Sequence, residues 1–282
     1  MKNVLTRFAA GNKCILGACA PTPLPVEYTH KFTPFVSSNI LKRTSPSRLL
    51  PGVKSIIAIG VGHESVALPH RGGIGHISTM GANKDYHNNV RNMLNKLVLK
   101  LKHQYTFEYR MLVDSPFLCE RTYARLSGIG FLGQHGLIIS QKFGTLFNIG
   151  LLLTTIPLTD PSREAKNGCK PNCLKCINAC PTGALKESEP LDAARCISYL
   201  TQKKERTPQE DALLGNNIYG CDACQNVCPH NKPIPSTTVD PHIWLNMSDQ
   251  DFAEKYAHTA MLWQGAQLLR DNAAAVIKNM QE

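Results

Sequence analysis

Eight of the eleven cysteines fall between positions 169 and 228, and their spacing is the feature of this sequence that most directly implies chemistry. One run reads Cys169-x3-Cys173-x2-Cys176-x3-Cys180-Pro181, a second reads Cys221-x2-Cys224-x3-Cys228-Pro229, and Cys196 stands between them. Thiolates at this spacing wrap the chain around an iron–sulfur cubane, and in ferredoxin-type domains the cysteine before the proline ligates the other cluster. The pattern predicts two [4Fe–4S] clusters. Cys169, Cys173, Cys176 and Cys228 would hold one; Cys180, Cys196, Cys221 and Cys224 would hold the other. Structural zinc is the competing reading, because zinc also takes paired cysteines. Successive cysteines at x2 and x3 with a Cys-Pro ending favour the clusters. Cys14, Cys19 and Cys119 lie outside the pattern and read as small buried hydrophobes or incidental thiols.

Electron-transfer clusters need something to reduce, and the remaining chain is long enough to supply it. With 282 residues, 43% apolar and 18% charged, the composition is that of a globular protein able to bury real cores. A disulfide-stapled secreted domain would be shorter. No apolar run reaches the roughly 18 residues that a membrane span requires, so no membrane association is expected. Lys2 and Arg7 ahead of Cys14–Ala20 loosely mimic an export signal, but Asn12 and Lys13 interrupt it, and Lys13–Ala20 reads instead as a first strand. The formal charge is +10. Two ligated clusters at roughly −2 each would leave about +6, so an anionic partner is plausible on charge alone.

The elements that must position this chemistry divide at about residue 160. Before it the chain reads as mixed α and β. Ser55–Val61 has the pattern of a buried strand, and Tyr86–His103 reads as a helix with Val90, Met93, Leu94, Leu97 and Leu101 on one face. Asp85 stands at its N-cap position. Thr106–Val113 is a candidate strand ending at Asp114, and Phe117–Leu126 a short helix. Gly136–Ser140 and Thr145–Thr155 read as two strands joined by the turn Gln141–Gly144. Residues 161–240 are dense in cysteine and proline, with brief helical patterning at Leu191–Gln202. Beyond 241 helical patterning returns: Ser248-Asp249-Gln250-Asp251 resembles a capping box, and Thr259–Met280 reads as one long helix. No G-x-G-x-x-G, phosphate loop or Ser/His/Asp signature occurs in the leading region.

Several stretches resemble the cobalamin-dependent epoxyqueuosine reductases. They are Leu49-Leu50-Pro51-Gly52, Asp85-Tyr86-His87, Val113-Asp114-Ser115-Pro116, Gly128-Ile129-Gly130-Phe131-Leu132-Gly133-Gln134-His135, Cys180-Pro181-Thr182-Gly183-Ala184, Arg195-Cys196-Ile197-Ser198-Tyr199-Leu200-Thr201 and Tyr219-Gly220-Cys221-Asp222. They run in the family's order over about residues 40–280.

The resemblance implies an α+β protein. A nitroreductase-like cobalamin-binding catalytic domain (1–160) would precede a ferredoxin-like double-[4Fe–4S] domain (161–240) and a short helical segment (241–282). It implies reduction of epoxyqueuosine to queuosine in a tRNA anticodon loop, electrons reaching cobalamin through the clusters. Asp114 would be the proton donor, because opening an epoxide leaves an alkoxide that a carboxylic acid kept neutral in a dry pocket can quench. The plain alternative for Asp114 is a polar strand-end residue. Arg43, Ser78, His135, Gly136, Ile138, Gly220, Asp222 and Ala223, with Asp114 itself, fall where the family lines its corrinoid. His135 could equally be a satisfied core histidine, and Asp85 a simple cap. A cytoplasmic monomer with an unidentified electron donor is expected.

Three departures accompany the match. The first cysteine pair is separated by Lys170-Pro171-Asn172 where the family has two residues, the segment before Leu49 is short, and the sequence ends at Glu282 without the family's helical repeats. Two other functions stay open at this level. One is a corrinoid iron–sulfur reductase of small molecules such as the reductive dehalogenases, which usually carry a twin-arginine signal that this sequence lacks. The other is a non-enzymatic electron carrier.

Overall fold

The computed structural model describes residues 1–25, 35–64, 68 and 71–281. They form two compact units, Met1–Gly62 with His87–Cys173, and His63–Tyr86 with Leu174–Glu282. The division is not linear along the chain, because a short early segment belongs with the cysteine-rich half.

The first unit is built on a four-stranded antiparallel sheet in the order Cys14–Cys19, Ser55–Gly62, Phe147–Thr154, Tyr109–Val113. The two central strands are nearly continuous apolar runs because both faces of the sheet are covered. Alternation sorts their side chains. Ile57, Ile59, Val61 and Leu152 meet Val90, Leu94, Leu97, Val98 and Leu101 of the helix Tyr86–Lys102. Ile56, Ala58, Leu151 and Leu153 face Leu118, Tyr123 and Ala124 on the other side. At about 1.5–3 kcal/mol per fully buried large aliphatic side chain, these two layers dominate the unit's stability. A helix at Lys2–Ala10, which the sequence reading did not assign, adds Val4 and Leu5 to the first layer.

The expected helix over Tyr86–His103 and strand over Lys13–Ala20 are present to within a residue or two. The expected strand pair around the turn at 141–144 is different. Ile138–Ile139 pairs with Phe131–Leu132, whereas Phe147–Thr154 runs between Ser55–Gly62 and Tyr109–Val113. A Ser140–Gly144 bridge closes the turn, but the flanking strands take other partners.

In the second unit, Arg71–Ile77 is the middle of a three-stranded sheet, parallel to Asn217–Tyr219 and antiparallel to Thr237–Val239. Its core gathers Ile77, Ile218, Tyr219, Trp244, Phe252, Tyr256, Met261 and Leu269, with the Trp244 indole N–H donating to the Tyr256 hydroxyl at 2.9 Å. The fully buried Asn272 amide donates to the carbonyls of Thr201 and Ile218, both at 2.8 Å, tying the last helix to the sheet and to the cysteine-rich loops. Ser248 caps the helix Asp249–Tyr256 as its pattern predicts, accepting from the Asp251 N–H. Thr259–Met280 is not one helix. A 3-10 turn at Ala260–Gln264 is separated from the helix Ala266–Asn279 by Gly265, whose φ of +94° no continuous helix can contain. Among the described residues no helix is long and apolar enough to cross a membrane.

Candidate active site

Five of the predicted cluster ligands, Cys176, Cys180, Cys196, Cys221 and Cys224, share one electrostatic neighbourhood in the second unit. Burial pushes the Cys221 thiol up to about 11 and the Cys224 thiol up to about 12. The nearby charges of Cys180 and Cys196 act on both in the same direction. Buried thiols this close cannot all ionise against each other; a strongly cationic centre among them relieves both penalties. That is the chemistry an iron–sulfur cluster supplies, so the donor set fits one. Cys196 precedes the helical turn Ile197–Leu200, and the Leu200 N–H donates to the Cys196 carbonyl.

Cys180 differs from its partners. Burial raises its thiol too, but N–H groups of Leu185, Thr182 and Ala184 and the Thr182 hydroxyl more than offset this, leaving it below the usual thiol range. The turn through Pro181 and Gly183 aims these donors at the sulfur, as expected around a ligating thiolate. Cys176 lies in the short helix Lys175–Asn178 and Cys228 follows Ala223–Asn226; both are buried. Cys169 and Cys173 close the first unit. The extra residue between them sits in a turn where Asn172 takes a φ of +58° and the Cys173 N–H donates to the Lys170 carbonyl at 3.2 Å. Among the described residues no cysteine is disulfide-bonded. Cys14 and Cys19 are buried on the first strand, and burial pushes the Cys19 thiol up to about 11, that of an inert core residue.

The cluster loop is fastened to the early segment of its own unit. Asp222, 3% exposed, accepts from the Thr79 N–H at 2.6 Å, the Thr79 hydroxyl at 2.7 Å and the Gln225 amide at 2.9 Å. Gly220 has φ +68°, and a Cβ there would fall 2.0 Å from the Ser78 Oγ. Ser78, Gly220, Asp222 and Ala223 are therefore brought together, with Asp222 serving as a clamp.

The remaining candidates lie in the first unit. Asp114 follows the strand Tyr109–Val113 in the left-handed region, φ +49°. Its side chain is 65% exposed, with Oδ2 3.7 Å from Nε2 of His87 in the first turn of the helix Tyr86–Lys102. The dry pocket expected around Asp114 is thus not provided by the described residues. The acid with the raised carboxyl is its half-exposed neighbour Glu120, pushed up to about 8 by desolvation, the Asp114 charge adding to the rise. His87 and Glu120 were not singled out as site residues; His87 was legible only as part of Asp85-Tyr86-His87, and Glu120 carried no spacing signal.

Arg43 is 5% exposed, its carbonyl accepts the Cys119 N–H, and its guanidinium reaches the Cys119 sulfur at 3.8 Å. His135 is 4% exposed and its Nδ1 accepts from the Leu137 N–H at 3.2 Å. Arg121 donates to the Gly136 carbonyl at 2.9 Å, joining the helix after Asp114 to the His135–Gly136 turn. Ile138 is packed in the apolar layer with Tyr123 and Leu151.

The scaffold is mixed α+β, and its second unit gathers thiols of the kind an iron–sulfur protein uses. A family model for a "4Fe-4S double cluster binding domain" matches residues 169–231, and one for "Epoxyqueuosine reductase QueG, DUF1730" matches residues 43–115. The epoxyqueuosine reductase of Bacillus cereus is 37% identical over 269 residues, covering 88% of this chain and 70% of the relative. That of Escherichia coli K12 is 37% identical over 210 residues, 70% of this chain and 54% of the relative. The structure of epoxyqueuosine reductase from Streptococcus thermophilus superposes with a TM-score of 0.88 at 27% identity, covering 100% of this chain and 82% of that one. A crystal structure of an epoxyqueuosine reductase with an epoxyqueuosine-modified tRNA-Tyr stem loop gives 0.87 at 28% identity, covering 99% and 81%. This chain belongs to the epoxyqueuosine reductase family, oxidoreductases that use cobalamin and two [4Fe–4S] clusters.

Proposed function

We propose that this chain reduces epoxyqueuosine to queuosine within a tRNA anticodon loop, with Asp114 as proton donor. The observation that carries the reading is the pairing of a double-cluster thiol set with an exposed carboxylate in a constrained backbone conformation, in a chain 37% identical to an epoxyqueuosine reductase. A tRNA stem loop bound to a matched relative and this chain's +10 charge support a tRNA substrate. A matched Bacillus subtilis structure, TM-score 0.84, is described with its catalytic aspartate loop swung out of the active site, which supports a catalytic role for an aspartate on a loop such as Asp114's.

Removing the epoxide oxygen as water consumes two electrons and two protons. Cobalamin, when bound, supplies the reduced cobalt that delivers electrons to the epoxide carbon. Arg43, His135, Gly136 and Ile138, all in the first unit, would help to hold it. Gly220 keeps the surface around Ser78 free of a Cβ. Asp114 would present one of the two protons to the oxygen leaving carbon, the second coming from solvent, and its exposed carboxyl would be covered only once substrate is bound. The eight cysteines would hold two [4Fe–4S] clusters, which would supply electron transfer. We place the protein in the cytoplasm as a monomer, where its tRNA substrate and a soluble electron donor meet it.

The test is turnover of epoxyqueuosine-containing tRNA by anaerobically reconstituted protein with cobalamin and a strong reductant. Asp114→Asn should bind cobalamin normally and slow turnover by about 10²–10⁴-fold, the range for loss of a general acid. Unchanged turnover would remove Asp114 from the acid role.

A further inference from the structure

Asp114 is in the left-handed region, φ +49°, which non-glycine residues adopt uncommonly. Something must hold it there. The next peptide is constrained by its own contacts: the Ser115 N–H donates to Glu120 Oε1 at 2.9 Å, and the Phe117 N–H donates to the Ser115 hydroxyl at 3.2 Å. The Asp114 N–H also hydrogen-bonds the Glu120 carboxyl. Two successive backbone N–H groups converging on one acceptor around a left-handed residue form a nest, the arrangement that elsewhere binds anions. Here the occupant is a side chain of the same chain. Glu120 opens the helix Glu120–Leu126, and its neighbour Arg121 is tied to the Gly136 carbonyl, so the acceptor stands on a fixed base.

We propose that Glu120 is the positioning residue for Asp114: its carboxyl fills the nest of the Asp114 and Ser115 amides and so fixes the backbone conformation that presents the Asp114 carboxylate beside His87. The inference rests on the reading of Asp114 as proton donor. Glu120 itself does not reach the substrate in this account. Asp114 and Arg121 are the charged groups acting on it, and desolvation shifts it toward the neutral form. A neutral carbonyl oxygen therefore suffices as the acceptor, so an amide should replace it.

The experiment compares Glu120→Gln, Glu120→Asp and Glu120→Ala with Asp114→Asn and the wild type, all as cluster-loaded protein. Cobalamin affinity is read by visible absorbance, and kcat and KM on epoxyqueuosine-containing tRNA. Glu120→Gln should stay within about threefold of wild-type kcat. Glu120→Ala, which lacks the acceptor, and Glu120→Asp, which is one methylene short of the nest, should lose roughly tenfold to hundredfold in kcat, as expected for a displaced catalytic group, with KM and cobalamin affinity unchanged. Wild-type kcat in Glu120→Asp or Glu120→Ala, alongside an inactive Asp114→Asn, overturns the positioning role and leaves the Asp114 reading intact. Glu120→Gln as impaired as Glu120→Asp also overturns it, and this comparison holds if Glu120→Ala fails to fold. An active Asp114→Asn overturns both.

Discussion

Nε2 of His87 stands 3.7 Å from Oδ2 of Asp114, linking the first turn of the helix Tyr86–Lys102 to the residue that follows the strand Tyr109–Val113. The two are 27 positions apart in sequence and meet because the helix packs on the sheet of which the strand is an edge.

Replacement of His87 tests whether the contact matters. His87→Gln is expected to lower kcat on epoxyqueuosine-containing tRNA, with cobalamin binding retained. Unchanged kcat would show that the pair has no part in the reaction.

Glu120 gives a pH-dependent stability with a definite sign. Its folded-state carboxyl holds a proton up to about pH 8, whereas the ordinary value is 4.5. The folded state thus binds more protons than the unfolded chain between those values, and stability falls as pH rises through the window. Melting temperatures of wild type and Glu120→Gln should diverge from pH 5 to pH 8.5, the wild type losing ground. Parallel curves would mean that the carboxyl is not held protonated by desolvation.

The cluster assignment is tested most cleanly at the thiols that act on one another. Cys224→Ser should reduce the anaerobic iron content from about eight to about four atoms per chain. Retention of about eight would remove Cys224 from the ligand set.

Gly220 is required twice, by its φ of +68° and by the Ser78 Oγ that would lie 2.0 Å from a Cβ. Gly220→Ala should destabilise the protein by about 1–3 kcal/mol, from backbone strain and the forced shift of Ser78. Adding Ser78→Gly should recover the steric part and leave the strain, which thermal melting of the single and double variants would resolve. Equal melting of Gly220→Ala and wild type would contradict this packing.

Much of this was legible in the sequence, for reasons that particular residues make plain. The cysteine runs and the face Val90, Leu94, Leu97, Leu101 are set by spacing over a few residues, and local spacing is visible without a fold. The pairing of Phe147–Thr154 with Ser55–Gly62 and Tyr109–Val113 is a choice among distant partners, so the local turn at 141–144 misled. The placement of Arg71–Ile77 beside Asn217–Tyr219 is likewise non-local, yet it is what brings Ser78 and Thr79 to Gly220 and Asp222. Gly265 was visible as a glycine, but only its φ of +94° showed that it ends a helical turn. At Asp114 the residue was recognisable and its surroundings were not: exposure and the Glu120 nest depend on how the following loop returns to the helix.

The account turns on one reaction. Anaerobically reconstituted protein, carrying both clusters and cobalamin, would be incubated with a strong reductant and epoxyqueuosine-containing tRNA, and the digested nucleosides read by mass spectrometry. Conversion of epoxyqueuosine to queuosine, with the loss of one oxygen, is the predicted result. Epoxyqueuosine left unchanged by protein with full clusters and bound cobalamin would contradict the assignment.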